Sequence, residues 1–129
     1  MIPMEMVRRL YGAWDRDDFE TFRASLHPDV EWHSSGRFPG LEPVYHGPDG
    51  VRDWWVAVKE PFEEWTIELE RVREVEGWLV AEVRFHAVGK ESGVAVDLPF
   101  AHVFEFEGEL IRRYWSEDSV ERALAAARG

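Results

Sequence analysis

Residues 99–111 read PFAHVFEFEGELI. If this stretch is a strand, Phe100, His102, Phe104 and Phe106 share one face and Ala101, Val103, Glu105 and Glu107 the other. One face is therefore aromatic with a single imidazole in it. Burial among aromatic rings lowers an imidazole's pKa and keeps it neutral near pH 7, with one nitrogen donating and the other accepting. Such a group moves a proton or steadies a developing oxyanion, whereas a plain core histidine would bond a backbone carbonyl; both readings stay open. With Glu107-Gly108 as a two-residue turn, Phe106 pairs with Glu109, His102 lies across from Arg113 and Phe100 faces Trp115. A three-residue turn would bring Arg112 there instead. An Arg beside a neutral His would suit an enolate or a carboxylate.

Working outward, the alternating pattern extends back to Pro61. Strands are expected over about 66–75, 78–89 and 94–106, parted by Glu76-Gly77 and Glu91-Ser92-Gly93, and a fourth follows from Leu110 to Trp115. The pattern upstream of Pro61 is helical. Val7, Leu10, Tyr11 and Trp14 recur at three- and four-residue spacing after Pro3, which suits a first helical position. Asp17, with Glu20 three residues later, caps a second helix carrying Phe19, Phe22 and Leu26, and His27-Pro28 closes it. Val30 to His33 reads as a short strand, followed to His46 by a loop rich in Gly and Pro. Gly47-Pro48 opens a third helix with Val51, Trp54, Trp55 and Val58 on one face. Ser116 or Asp118 caps a last helix. Helices first and hairpin-linked strands after them predict an α+β fold in which helices cover one face of an antiparallel sheet around a single apolar pocket. No repeat or linker interrupts residues 1–129, so one domain is expected.

Composition narrows the function classes. Apolar residues make up 45% of the chain, and seven Trp and eight Phe supply a core that a disordered segment would lack. A net charge of -11 repels nucleic acid and anionic membranes, neither of which is expected as a partner. The absence of cysteine removes disulfides, thiolate nucleophiles and Cys-ligated metals. No histidine pair has metal-motif spacing, so neither metal nor cofactor is expected. Glu5, Arg8 and Arg9 interrupt the first turns, no apolar run suits a signal or a membrane span, and a cytoplasmic location is expected.

Among the remaining histidines, His33 is the second candidate, at the end of the first strand beside Ser34. His86 is out of phase with Val83, Phe85 and Ala87, and His27 and His46 belong to chain turns. Ser34 lacks the G-x-S-x-G setting of an activated nucleophile. Glu31, Asp97 or Glu117 would face inward only if a bulge shifted the strand phase.

The order of these elements resembles the nuclear transport factor 2-like superfamily, in particular its ketosteroid isomerase-like and SnoaL-like polyketide cyclase branches. The carriers are the helical pair from Tyr11 to Phe22 with its acidic turn, PDVEWH at 28–33, YHG at 45–47, PFAHVFEFEGELI at 99–111 and YWSE at 114–117. The resemblance implies a cone-shaped fold with N-terminal helices packed on a strongly curved antiparallel sheet, one pocket between them, and an outer sheet face that forms a homodimer. Ala101 and Val103 lie on that outer face. The resemblance also places His102 where the isomerases hold an oxyanion-hole acid, Tyr11 within one residue of their oxyanion tyrosine, and Trp115 at a pocket wall. It puts Ser34, next to His33, where those enzymes carry a general-base Asp, so steroid isomerase activity is not implied. The expectation is a cofactor-independent isomerase or cyclase for a small apolar carbonyl or polyketide-like ligand, or else a non-catalytic binding or dimer module. His102, Tyr11, Arg113 and His33 are its candidate working groups. Trp14, Trp32, Ser34, Trp54, Phe85, Phe100, Phe104 and Trp115 are its candidate pocket wall.

Overall fold

In the computed structural model, which describes residues 4–34, 38 and 40–129, the first layer is helical. Helix α1 (Met4–Asp15) buries Val7, Leu10, Tyr11, Ala13 and Trp14, the stripe expected from their spacing. The proposed role of Pro3 lies outside the described residues. Helix α2 (Phe19–Arg23) is capped by Asp18, whose carboxylate accepts from the Thr21 N–H, and not by Asp17. Asp17 instead takes a left-handed backbone, φ 57°, and its carboxylate accepts from Trp55 Nε1 and Lys59 Nζ.

Strand β1 (Leu26–His33) starts four residues before the expected Val30, so His27-Pro28 lies inside a strand and does not close a helix. Its pairing with β6 shifts register between Leu26 and Glu31. Pro28, in that gap, has no N–H to offer a ladder, which is why its breaker signal is compatible with a strand. A three-residue strand β2 (Val44–His46) lies in what read as loop and pairs antiparallel with β1, Trp32 opposite Tyr45. Helix α3 (Gly47–Lys59) follows, with Gly47 at φ 72° turning the chain and Pro48 in the first turn.

The long strands come next: β3 (Phe62–Val75), β4 (Trp78–Gly89), β5 (Ala95–Glu107) and β6 (Leu110–Glu117). Glu76 and Gly77, both at positive φ, make the β3–β4 turn that an Asn-Gly-like pair prefers. The final helix α4 (Val120–Arg128) is capped by Ser119, whose hydroxyl accepts from Arg122 N–H, a later start than Ser116 or Asp118. The sheet order is β2-β1-β6-β5-β4-β3, and every neighbour pair is antiparallel except β1 with β6. Register shifts in the β3–β4 and β5–β6 pairs bend the sheet around α1 and α3. The fold is thus the expected α+β cone of helices on a curved sheet.

Two apolar clusters result. The larger lies on the concave side and joins α1 and α3 to Trp32, Phe85, Phe100, Phe104 and Tyr114. The smaller lies on the convex side, where α4 covers Val80, Ala101, Val103 and Trp115. Ala101 and Val103, expected on an exposed outer face, are 2% and 0% exposed beneath this helix. Beyond α4 the same face is ionic: Arg84 pairs with Glu70 and Asp97, and His86 with Glu68 and Asp97.

Candidate functional site

Between α1, α3 and the concave sheet lies a cavity of about 40 Å³. Trp14 comes from α1, Trp54 and Val58 from α3, Ile67 from β3, Val83 and Phe85 from β4, and Phe38 and Leu41 from the segment before β2. Phe100 and His102 of β5 and Tyr114 and Ser116 of β6 complete the wall. A deeper hollow of about 20 Å³ shares Trp14, Trp54, Ile67, His102 and Tyr114 and adds Leu10, Tyr11, Phe22, Trp32 and Phe104. His102 stands where the two meet.

The strand phase of β5 turns His102 inward, and its partner on α1 sits one turn before Trp14. Tyr11 Oη lies 2.8 Å from His102 Nδ1, with the rings 5.9 Å apart and nearly parallel. The imidazole is 6% exposed and edged by Phe104 and Tyr114. Burial pushes its pKa down to about 3, because nothing around it replaces the water that would solvate an imidazolium. Burial likewise raises the Tyr11 phenol well above its ordinary value, with the nearby Tyr114 adding to the effect. Tyr114 is raised by burial too, against which a hydrogen bond with Ser116 works. At neutral pH the group is therefore an uncharged imidazole between uncharged phenols. A phenol donates better than it accepts. The favoured arrangement has Tyr11 O–H donating to Nδ1 and the proton on Nε2, the nitrogen with no hydrogen-bond partner among the described residues. The partner is thus a phenol, not the backbone carbonyl of an ordinary core histidine.

The register corrects the rest of the expected constellation. The turn falls at Gly108-Glu109, so Glu107 pairs with Leu110, and a bulge between Glu105 and Phe106 then shifts the phase of β6. His102 faces Ser116, while Arg113 faces Glu105 and pairs with Glu105 and Glu31 on the other side of the sheet. Trp115 pairs with Val103, under α4, and not with Phe100; across β4, Phe100 faces Val83. A one-residue slip reverses every side chain of a strand. Tyr114 and Ser116, which sequence reasoning missed, therefore take the inward places assigned to Arg113 and Trp115. The bulge was the missing signal.

His33 does not join His102. It stacks on Trp115, with centroids 5.3 Å apart, and its Nε2 is 3.7 Å from Glu31 Oε1. Burial lowers its pKa, opposed by Glu31. Ser34 donates its hydroxyl to the Glu42 carbonyl at the chain's exit from β1 and lines neither hollow. Glu31 and Asp97 stay on the ionic face. Of the expected wall residues, Trp14, Trp54, Phe85 and Phe100 line the cavity, and Trp32 and Phe104 the deeper hollow.

The wall is itself held in place. Trp14 Nε1 donates to the Trp65 carbonyl, and Lys59, 6% exposed, donates to the Trp14 carbonyl and to Asp17. Its ammonium sits 3.7 Å from the Trp55 centroid, 4.3 Å from Trp14 and 4.9 Å from Trp65. These ring faces compensate in part for lost water. Burial nevertheless lowers the Lys59 pKa to about 8, with Asp17 opposing. A lysine at helical spacing from Trp55 reads as surface in the sequence, and only the tertiary fold buries it. Among the described residues no group of three or more His, Asp or Glu is placed to hold a metal, and no helix is long and apolar enough to cross a membrane.

Helices on a curved sheet around an aromatic cavity make up the nuclear transport factor 2-like fold. The chain belongs to the SnoaL-like domain family, whose pattern matches residues 7–114. A protein of unknown function from Burkholderia pseudomallei with the same fold is similar at 24% identity over 95% of this chain and 94% of that one, TM-score 0.81. A hypothetical protein with a ketosteroid isomerase-like fold from Catenulispora acidiphila, solved with trimethylamine, shares 15% identity over 97% and 92% of the chains, TM-score 0.77. TerC, co-crystallised with polyporic acid, shares 18% identity over 98% of each, TM-score 0.79. No curated protein matches the chain.

Proposed function

We propose that this protein is a cofactor-independent isomerase or cyclase acting on a small apolar carbonyl or polyketide-like compound, with His102 steadying negative charge on the substrate oxygen. The observation that carries this reading is the 2.8 Å contact of Tyr11 Oη with His102 Nδ1 inside an aromatic cavity. It orients the imidazole and leaves Nε2 with no hydrogen-bond partner among the described residues, open to a ligand. The magnitude of burial decides between the two roles open to such a group. Protonating a base held at about 3 costs about 5 kcal/mol more than protonating an ordinary imidazole near 6.5. Donation from Nε2–H to an enolate oxygen needs no such charging, so the oxyanion role is favoured over the base role. A substrate whose carbon is already acidified by its own carbonyls suits this site, since water or a buffer base can take that proton while Nε2–H donates to the enolate oxygen.

Deuterium uptake from D2O next to the carbonyl of 2-indanone, followed by NMR, tests the reading without knowledge of the natural substrate. The protein should accelerate uptake, and His102→Ala should lose on the order of 10²-fold of that acceleration, Tyr11→Phe less. Unchanged acceleration in a folded His102→Ala variant would remove the imidazole from the mechanism.

The polar groups of the wall, His102, Tyr11, Tyr114 and Ser116, are all neutral, and this favours a second reading in which the cavity holds its ligand without chemistry. Co-crystallisation of TerC with polyporic acid is compatible with either. Tight binding of 2-indanone with no uptake above buffer would select the second. A homodimer is also proposed, through the ionic part of the outer face, because the apolar part lies under α4. Light scattering that finds monomer at all concentrations would refute it.

A further inference from the structure

Trp32, on β1, is 1% exposed, and its Nε1–H has no hydrogen-bond partner among the described residues. Buried N–H groups are rarely left unpaired, and an indole nitrogen donates only. Two other buried tryptophans of the same cluster meet the rule: Trp14 donates to the Trp65 carbonyl and Trp55 to Asp17. Among the described residues the other buried side-chain atom without a hydrogen bond, Glu82 Oε2, has the guanidinium nitrogens of Arg71 and Arg73 within 4.0 Å. Trp32 has no such compensation. Its ring is also clamped, stacked on Tyr114 at 3.7 Å between centroids, tilted on Trp54 at 5.0 Å and edged by Phe22 at 5.6 Å, so it is not free to turn toward a carbonyl of the chain. A phenylalanine would give similar packing without the orphan donor. The indole lines the deeper hollow, whose wall also includes Tyr11, His102 and Tyr114.

We infer that Trp32 Nε1–H is a ligand-binding donor that meets an acceptor oxygen which a compound seated in the cavity projects into the deeper hollow, whose volume of about 20 Å³ has room for little more than that one group. The inference rests on the proposal that this cavity takes a small carbonyl compound, and it adds a second polar point on β1 to the one at His102 on β5. A neutral compound with a carbonyl or ether oxygen fits a donor in an apolar wall. A hydrocarbon leaves the N–H unpaired, and an ammonium presents another donor to it. The ligand class narrows accordingly, to apolar molecules carrying at least one accessible acceptor oxygen.

Protein labelled with 15N in its indoles, titrated with 2-indanone and separately with indane, tests this. The Trp32 resonance, identified by its loss in Trp32→Phe or by its contacts with Tyr114 protons, should move downfield with the ketone and not with the hydrocarbon. Trp32→Phe should weaken 2-indanone about tenfold, the worth of one hydrogen bond, and change indane less than twofold. Should that variant fail to fold, the titration of the unaltered protein decides alone. Binding of 2-indanone that depends on His102 but leaves the Trp32 resonance unmoved, or moves it as indane does, would overturn the inference while the proposed function stands. A resonance already downfield before titration and unchanged by either compound would assign the N–H to water and also overturn it. Failure of both compounds to bind would remove the proposed function and this inference with it.

Discussion

Along β5, Phe100, His102 and Phe104 face α1 and α3, while Ala101 and Val103, one residue out of phase, lie beneath α4 and Asp97 joins the ionic face farther along. The concave side is poor in polar atoms; His102 is matched to Tyr11 and Tyr114 to Ser116, while the Trp32 N–H has no hydrogen-bond partner among the described residues. The convex side beyond α4 is crowded with charge, as Arg84 pairs with Glu70 and Asp97 and the His86 ring lies between Glu68 and Asp97, across three strands. On the first side His102, Tyr11 and Tyr114 have been taken from water and their protonation moved by burial. On the second side water screens each charge, and an ion pair is worth little. The difference separates groups whose state burial sets from groups that water screens, although both sets sit on the same strands.

Substitutions should break this contrast in a definite order. The largest effect is expected from His102→Ala on deuterium uptake, as described above. Next comes Phe104→Ala, which empties a site 2% exposed between Tyr11 and Tyr114 and should cost about 3–5 kcal/mol of stability in denaturant titration. The pH dependence of stability follows. With His102 held at about 3 in the folded chain and near 6.5 when unfolded, the unfolded state binds the extra proton between those values. This contribution is fully present above pH 6.5 and is lost as pH falls toward 3, at no more than about 1.4 kcal/mol per pH unit. Carboxylates titrate in the lower part of the window. The measurement is therefore the difference between the protein and His102→Phe, which should shrink as pH falls and should be flat if the imidazole is solvated.

Lys59 offers the corresponding test at alkaline pH. Its folded pKa of about 8 lies below the ordinary 10.5, so the unfolded state again holds the extra proton. Stability relative to Lys59→Met should rise with pH from about 8 to 10.5 and level off above. The smallest effect belongs to the ionic face: Glu68→Ala or His86→Ala should change stability by less than about 1 kcal/mol, and less still in high salt. A loss several times larger would mean that this face is buried in solution, as in the proposed dimer.

Much of the architecture was legible because it rests on periodicity. The α1 and α3 stripes, the Glu76-Gly77 turn and the inward phase of Phe100, His102 and Phe104 are local properties, each specified within a few residues. What escaped was pairing. His27-Pro28 has the composition of a helix stop, but β6 draws it into a strand, and β2 is too short for any pattern of its own. In the site, Arg113 and Trp115 were placed inward and Tyr114 and Ser116 overlooked, because the bulge beside Glu105 leaves no mark in composition. A bulge is a relation between two strands.

By itself, then, the sequence determined the class of fold, the aromatic wall and the direction in which His102 points, since all three follow from side-chain alternation along single elements. Only the tertiary structure decided that His102 would meet Tyr11, ninety-one residues away, that Arg113 would face the ionic side, and that Lys59 and the Trp32 N–H would be buried. Those outcomes depend on register and on the docking of helices against a bent sheet, where a shift of one residue exchanges a pocket wall for a surface.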